Sequence, residues 1–212
     1  MKVIYIGYPV SKQNENSHIW SIADNNMENG FIDQLIRLYG VKNVHIFSLD
    51  LKRQSDSFLF KKSITENLFK DVYVRYVSYI NIPRVRVILI YFKVLIEILK
   101  ISRECKKDHQ ECVVIVYNIS EISILFNIFK KFSRFKTICF LAGVVENFES
   151  EVKNNNFSNI LRKIAFSGND GIISFNKNSI NDYFKKDNHL VIFPGVNFKS
   201  VEVKEKEIDN TQ

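Results

Sequence analysis

The chain has 212 residues, 46% of them apolar, enough for one well-packed core in a single domain. Thirty basic residues against 23 acidic ones give a formal charge of +7, which favours an anionic partner without choosing among phospholipid, nucleic acid and phosphorylated substrate. Three cysteines, Cys105, Cys112 and Cys139, make neither an even set nor a CxxC pair, which excludes a disulfide-stapled framework. With no cleavable signal sequence ahead of the first strand, the expectation is a reducing cytoplasm.

Lys2 to Tyr8 (KVIYIGY) predicts a buried strand, broken at Gly7 and Pro9. A polar loop, VSKQNENSH, follows. Ile22, Met27, Phe31, Leu35, Ile36 and Leu38 then give the apolar face of a helix ending near Tyr39 and Gly40. Val44 to Leu49 is the second strand. Residues 50–70 mix charge with isolated aromatics and read as a loop with a short helix. Val72 to Tyr79 alternates like a third strand nearer an edge, and Arg84 to Lys107 predicts a long helix whose basic last turn suits the helix dipole. Its most apolar window, Val85 to Ile101, is interrupted by Lys93 and Glu97 and falls short of a membrane span.

Cys112 to Tyr117 (CVVIVY) is the most uniformly apolar strand and so belongs at the centre of the sheet. Ile122 to Phe132 predicts a helix, Thr137 to Leu141 a fifth strand, Ala142 to Asn156 a long acidic loop, and Phe157 to Phe166 a further helix. Gly171 to Phe175 and Leu190 to Phe193 are two strands joined by an amphipathic helix over Asn176 to Lys186, a βαβ unit. The alternation predicts an α/β protein with a doubly wound, mostly parallel, Rossmann-like sheet of about seven strands over residues 1–197. Residues 198–212 form a polar tail or the start of an interdomain linker.

The order and spacing of four features carry a resemblance: KVIYIGYP with its polar loop, ADNNMENGFIDQLIRLYGVKNVHIFSL, VVIVYN, and DGIISFNKNSINDYF leading to LVIFPGVN. Together they resemble the amino-terminal, acceptor-side domain of a GT-B glycosyltransferase, particularly the retaining family 4 group. The resemblance implies one half of a GT-B architecture. That half would serve transfer of a sugar from a nucleotide-sugar donor to a polysaccharide or lipid-linked acceptor. It also implies that the donor binds on a second domain or a second chain, so that no cofactor is held by this chain. Where many relatives have a histidine or an acidic pair beyond the fifth strand, this sequence reads FLAGVVENF.

Ligands of open α/β sheets lie outside the carboxyl ends of the strands. That rule, without the resemblance, nominates Gly7, Tyr8 and Pro9 with the loop through Ser17 and His18; Asn118, Ser120 and Glu121; Gly143 and Glu146; and Ser174 to Asn176. Gly7 would let backbone amides approach an acceptor or a phosphate, or would simply make a tight turn. Glu146 is the candidate catalytic carboxylate, placed to orient an acceptor hydroxyl or accept its proton; the alternative is a solvated loop acid beside Glu149 and Glu151. Asn118 and Glu121 would bind sugar hydroxyls, or Asn118 would cap a helix.

No HExxH or DxD pattern predicts a metal site, and Cys112 and Cys139 lie in apolar strands as packing residues. Lys93, Lys100, Arg103, Lys106 and Lys107, with Lys130, Lys131, Arg134 and Lys136, punctuate two apolar helices. They would rest on the anionic inner face of a membrane as a peripheral protein, or form a solvated surface. No recognition helix or aromatic strand pattern points to nucleic acid. A non-catalytic Rossmann-like partner or scaffold subunit of another transferase is the alternative function.

Overall fold

A computed structural model describes residues 1–10, 22–49, 60–69, 71–82, 85–118, 122–141, 164, 167–174 and 189–191. In chain order these form β1 (Lys2–Gly7), α1 (Ile22–Tyr39), β2 (Val44–Ser48), β3 (Phe60–Lys61), β4 (Ile64–Phe69), β5 (Val72–Tyr76) and β6 (Tyr79–Ile80). They continue as α2 (Val85–Lys107), β7 (Cys112–Tyr117), α3 (Ile122–Ser133), β8 (Lys136–Leu141), β9 (Gly171–Ser174) and β10 (His189–Val191). The main sheet runs β10-β9-β8-β7-β1-β2-β5-β4. Every neighbouring pair in it is parallel except β4 against β5. The chain therefore folds as a doubly wound, Rossmann-like α/β protein, and strand order reverses between β1 and β7.

All seven predicted strands are present, and the sheet has an eighth, β4, at its edge. Within residues 50–70 the expected loop and short helix is corrected for residues 60–69, which form β3 and β4. The physical reason lies in the pairing. Of Ile64–Phe69 only Leu68 is buried, so no alternation marks the strand, and its ladder depends on antiparallel partners in β5, with a register shift between Asn67 and Phe69. The predicted third strand also stops at Tyr76, and Tyr79–Ile80 pairs instead with β3 in a separate two-stranded sheet. The expected helix over Asn176 to Lys186, most of that over Phe157 to Phe166, the acidic loop and the tail lie outside the described residues.

Both faces of the central strands are buried, which is why β7 reads as an uninterrupted apolar run. On one face Ile4, Ile6, Val114 and Val116 pack against α2 and α3; on the other Val3, Tyr5, Val113 and Ile115 pack against α1. Helix α2 turns Ile90, Val94, Ile98, Ile101 and Cys105 inward at helical spacing. Each such aliphatic side chain contributes about 1.5–3 kcal/mol by leaving water. Helix α1 buries Asn25, Glu28, Ile32 and Leu35 along one stripe. It ends at Gly40, whose φ of 80° suits glycine and whose N–H closes on Ile36 O at 2.8 Å.

Candidate functional site

The register Ile6↔Val116 sets the ends of β1 and β7 side by side at the strand-order reversal. Gly7, Tyr8, Tyr117 and Asn118 line that end of the sheet. Tyr8 is half-buried and touches the cores on both faces, Pro9 is buried, and Asn118 is half-buried. Asn118 adopts a left-handed φ of 58°, which asparagine tolerates better than most residues, and its N–H donates to Phe140 O at 2.7 Å. It stands four positions before the first residue of α3, so its backbone extends the β7–β8 ladder and turns the chain out of the sheet.

The ends of β1 and β7 therefore bring together four of the nominated residues: Gly7, Tyr8, Pro9 and Asn118. Ser17, His18, Glu121, Gly143 and Glu146 lie outside the described residues, as do Ser120, Phe175 and Asn176, while Ser174 is buried at the end of β9.

Sequence reasoning missed the central group. Glu28 is only 2% exposed, and the Tyr8 N–H donates to both of its carboxylate oxygens, at 3.2 and 3.0 Å. One turn earlier on α1, Asn25 grips the same segment: the Val10 N–H donates to Asn25 Oδ1 at 3.0 Å, and Asn25 Nδ2 donates to Val10 O at 3.3 Å. Two side chains of α1 thus take up the backbone groups of residues 8–10 that the sheet no longer pairs. The signal was available as spacing, since Asn25 and Glu28 continue the stripe of Ile32 and Leu35 towards the start of the helix, where apolar residues would be expected.

The carboxylate changes its surroundings. The Tyr5 hydroxyl is buried without a well-formed hydrogen bond, and burial first, then the Glu28 carboxylate, pushes its pKa well above the ordinary phenol value. Gly7 leaves room for both groups: a β-carbon there would stand 2.7 Å from Glu28 Oε2, 2.9 Å from Tyr5 Cε1 and 3.1 Å from Tyr117 Cβ. The space beside Gly7 is therefore filled by protein, and the amide that follows it is already held by the Glu28 carboxyl group.

Elsewhere, His45 lies in β2 and His109 in the turn after α2, and no cluster of metal-ligating side chains occurs among the described residues. All three cysteines are buried free thiols. Among the basic residues, Lys130 pairs with Asp170 at 2.8 Å, Lys136 with Glu111 at 3.0 Å and Lys100 with Glu97 at 2.7 Å. Val85, Ile88, Phe92 and Ile96 form an exposed apolar stripe along α2, which runs on into Lys100, Arg103, Lys106 and Lys107. No described helix is long and apolar enough to cross a membrane.

Compared with known proteins, the chain matches no family model and no curated sequence. What fold and site define together is a class, a Rossmann-like protein whose switch-point strand ends are held by a buried glutamate.

Proposed function

We propose that this chain is the acceptor-binding half of a GT-B glycosyltransferase, serving transfer of a sugar from a nucleotide-sugar donor to a polysaccharide or lipid-linked acceptor in cell-surface glycan synthesis. One observation carries the reading: the Tyr8 amide at the switch point is committed to the buried Glu28 carboxylate. A phosphate brought to that amide would compete with a carboxylate in a low-dielectric setting and be repelled by it. A neutral, hydroxyl-rich ligand meets no such penalty. The Asn118 amide has the donor and acceptor that sugar hydroxyls require. Donor phosphates are then handled by a second domain or chain, and this side supplies acceptor placement. Glu146, with Ser17, His18, Glu121 and Gly143, would complete the crevice, Glu146 orienting the acceptor hydroxyl and taking its proton.

The exposed stripe of α2 with its basic end supports a peripheral position on an anionic membrane surface, where a lipid-linked acceptor is found. A second reading, a non-catalytic partner of another transferase, is favoured by the burial of Glu28, which keeps that carboxylate from acting as a base toward a ligand in the crevice.

Ligand-observed NMR on the chain tests the proposal. Oligosaccharides are expected to give saturable signals that Asn118→Gly removes, and nucleoside diphosphates none. Nucleotide binding at the crevice without saccharide binding overturns it. Adding a separately expressed donor-domain chain then divides the two readings: restored transfer supports the enzyme, and association with no change in activity supports the scaffold.

A further inference from the structure

On the α2 side of the sheet, two strands from β1, the β4–β5 hairpin and α2 enclose a trough of about 500 Å3. Its polar lining is three hydroxyls, Ser63, Thr65 and Ser78, two cations, Arg75 and Lys93, and one carboxylate, Glu97. The antiparallel register explains the grouping, because Thr65 pairs directly with Arg75 and both point to the α2 side. Lys93 and Glu97 are one helical turn apart and face the hairpin together.

The charges do not balance. Glu97 is shared between Arg75, at 3.1 Å, and Lys100, at 2.7 Å. Lys93 has no carboxylate partner among the described residues; its ammonium donates to Ser78 Oγ and stands 5.9 Å from the centre of the Phe60 ring. Two lining cations against one carboxylate, itself shared with Lys100 outside the trough, leave an excess positive charge at a half-enclosed, hydroxyl-lined site. A partly desolvated ammonium gains most from an anion that brings its own hydrogen-bond acceptors.

We propose that this trough is a binding site for a phosphate group, with Lys93 and Arg75 holding its charge and the three hydroxyls donating to its remaining oxygens. The volume lies within the range of small-molecule clefts, roughly 300–1,000 Å3, so the phosphate is one end of a larger ligand. Two sources share this chemistry. One is a soluble phosphate ester. The other is a phospholipid headgroup, whose chains would lie along Ile96, Phe92 and Ile88, the exposed stripe that starts at the trough's rim. The site stands apart from the Gly7–Asn118 crevice and does not depend on the glycosyl-transfer reading.

The test uses the full chain with two probes: glycerol 3-phosphate by isothermal titration, and flotation with phosphatidylglycerol vesicles against phosphatidylcholine vesicles. Lys93→Gln and Arg75→Gln are each expected to weaken binding roughly tenfold. Lys136→Gln, which removes a surface cation outside the trough, should leave it unchanged. Saturable glycerol 3-phosphate binding with this pattern supports the site and a soluble ligand. Binding of phosphatidylglycerol vesicles alone, with the same pattern, supports the site and a headgroup. Neither probe binding, or binding that all three variants weaken alike, overturns it. Circular dichroism checks each variant's fold, and if Arg75→Gln unfolds, Lys93→Gln decides, because it breaks no ion pair among the described residues.

Discussion

Gly7 and Glu28 share one space: a β-carbon on residue 7 would stand 2.7 Å from Glu28 Oε2, closer than such contacts occur. The glycine at the end of β1 is thus required by a side chain 21 positions further on, arriving from α1. Gly7→Ala is expected to destabilise the protein by about 1–3 kcal/mol through overpacking. Glu28→Ala, which strands the Tyr8 N–H, should cost about as much. The double variant should cost less than the two singles added, because removing the carboxylate relieves the shortest of the contacts the methyl would make. Urea unfolding of the four proteins measures this coupling, and strict additivity would show that the two residues do not compete.

Asn118 separates backbone from side chain. Its φ of 58° predicts that Asn118→Gly keeps or slightly raises stability, while Asn118→Val lowers it by about 1–2 kcal/mol. The glycine variant should nevertheless lose saccharide binding if the amide is part of the crevice. Thermal unfolding reads the first effect and ligand-observed NMR the second; a glycine variant that still binds would remove Asn118 from the site.

At the amino ends of the strands, Asp170 joins α3 to β8 and β9. Its carboxylate accepts from Lys130 Nζ at 2.8 Å, the Thr137 N–H at 2.8 Å and Thr137 Oγ1 at 3.2 Å, and Lys130 also donates to Gly168 O. Burial alone would raise the Asp170 carboxyl, but Lys130 and Thr137 outweigh it and hold the pKa below the ordinary aspartate value. A depressed folded pKa means that the contribution is complete above the unfolded value, near 4, and is lost as pH falls below that through the folded value. Asp170→Asn should therefore be less stable at pH 7 and show a shallower loss as pH falls below about 4. Unfolding curves across that range test it, and parallel pH profiles for the two proteins would refute it.

The cysteines should be chemically silent. Burial first, then the neighbouring Cys105 thiol, pushes the Cys112 pKa up to about 12, and all three thiols are buried. At pH 8 the native protein is expected to show almost no thiolate at Cys112 and slow alkylation at all three positions, with three equivalents reacting in denaturant. Fast labelling of one thiol in the native state, located by mass spectrometry, would contradict this.

What the sequence determined by itself is the succession of buried strands and amphipathic helices. Runs such as KVIYIG and CVVIVY are best satisfied inside a sheet covered on both faces, and the helices between the strands supply the crossovers that parallel neighbours need. It also placed Gly7, Tyr8 and Asn118 at the strand ends, because turn residues directly follow those runs. Tertiary structure alone decided the rest. Ile64–Phe69 is a strand only because β5 lies beside it, Glu28 finds the Tyr8 N–H only because β1 ends against α1, and Lys93 meets Ser78 only because α2 crosses above the hairpin. Local propensity records what a segment does with its own neighbours in sequence; partners that arrive from distant segments leave no periodic trace.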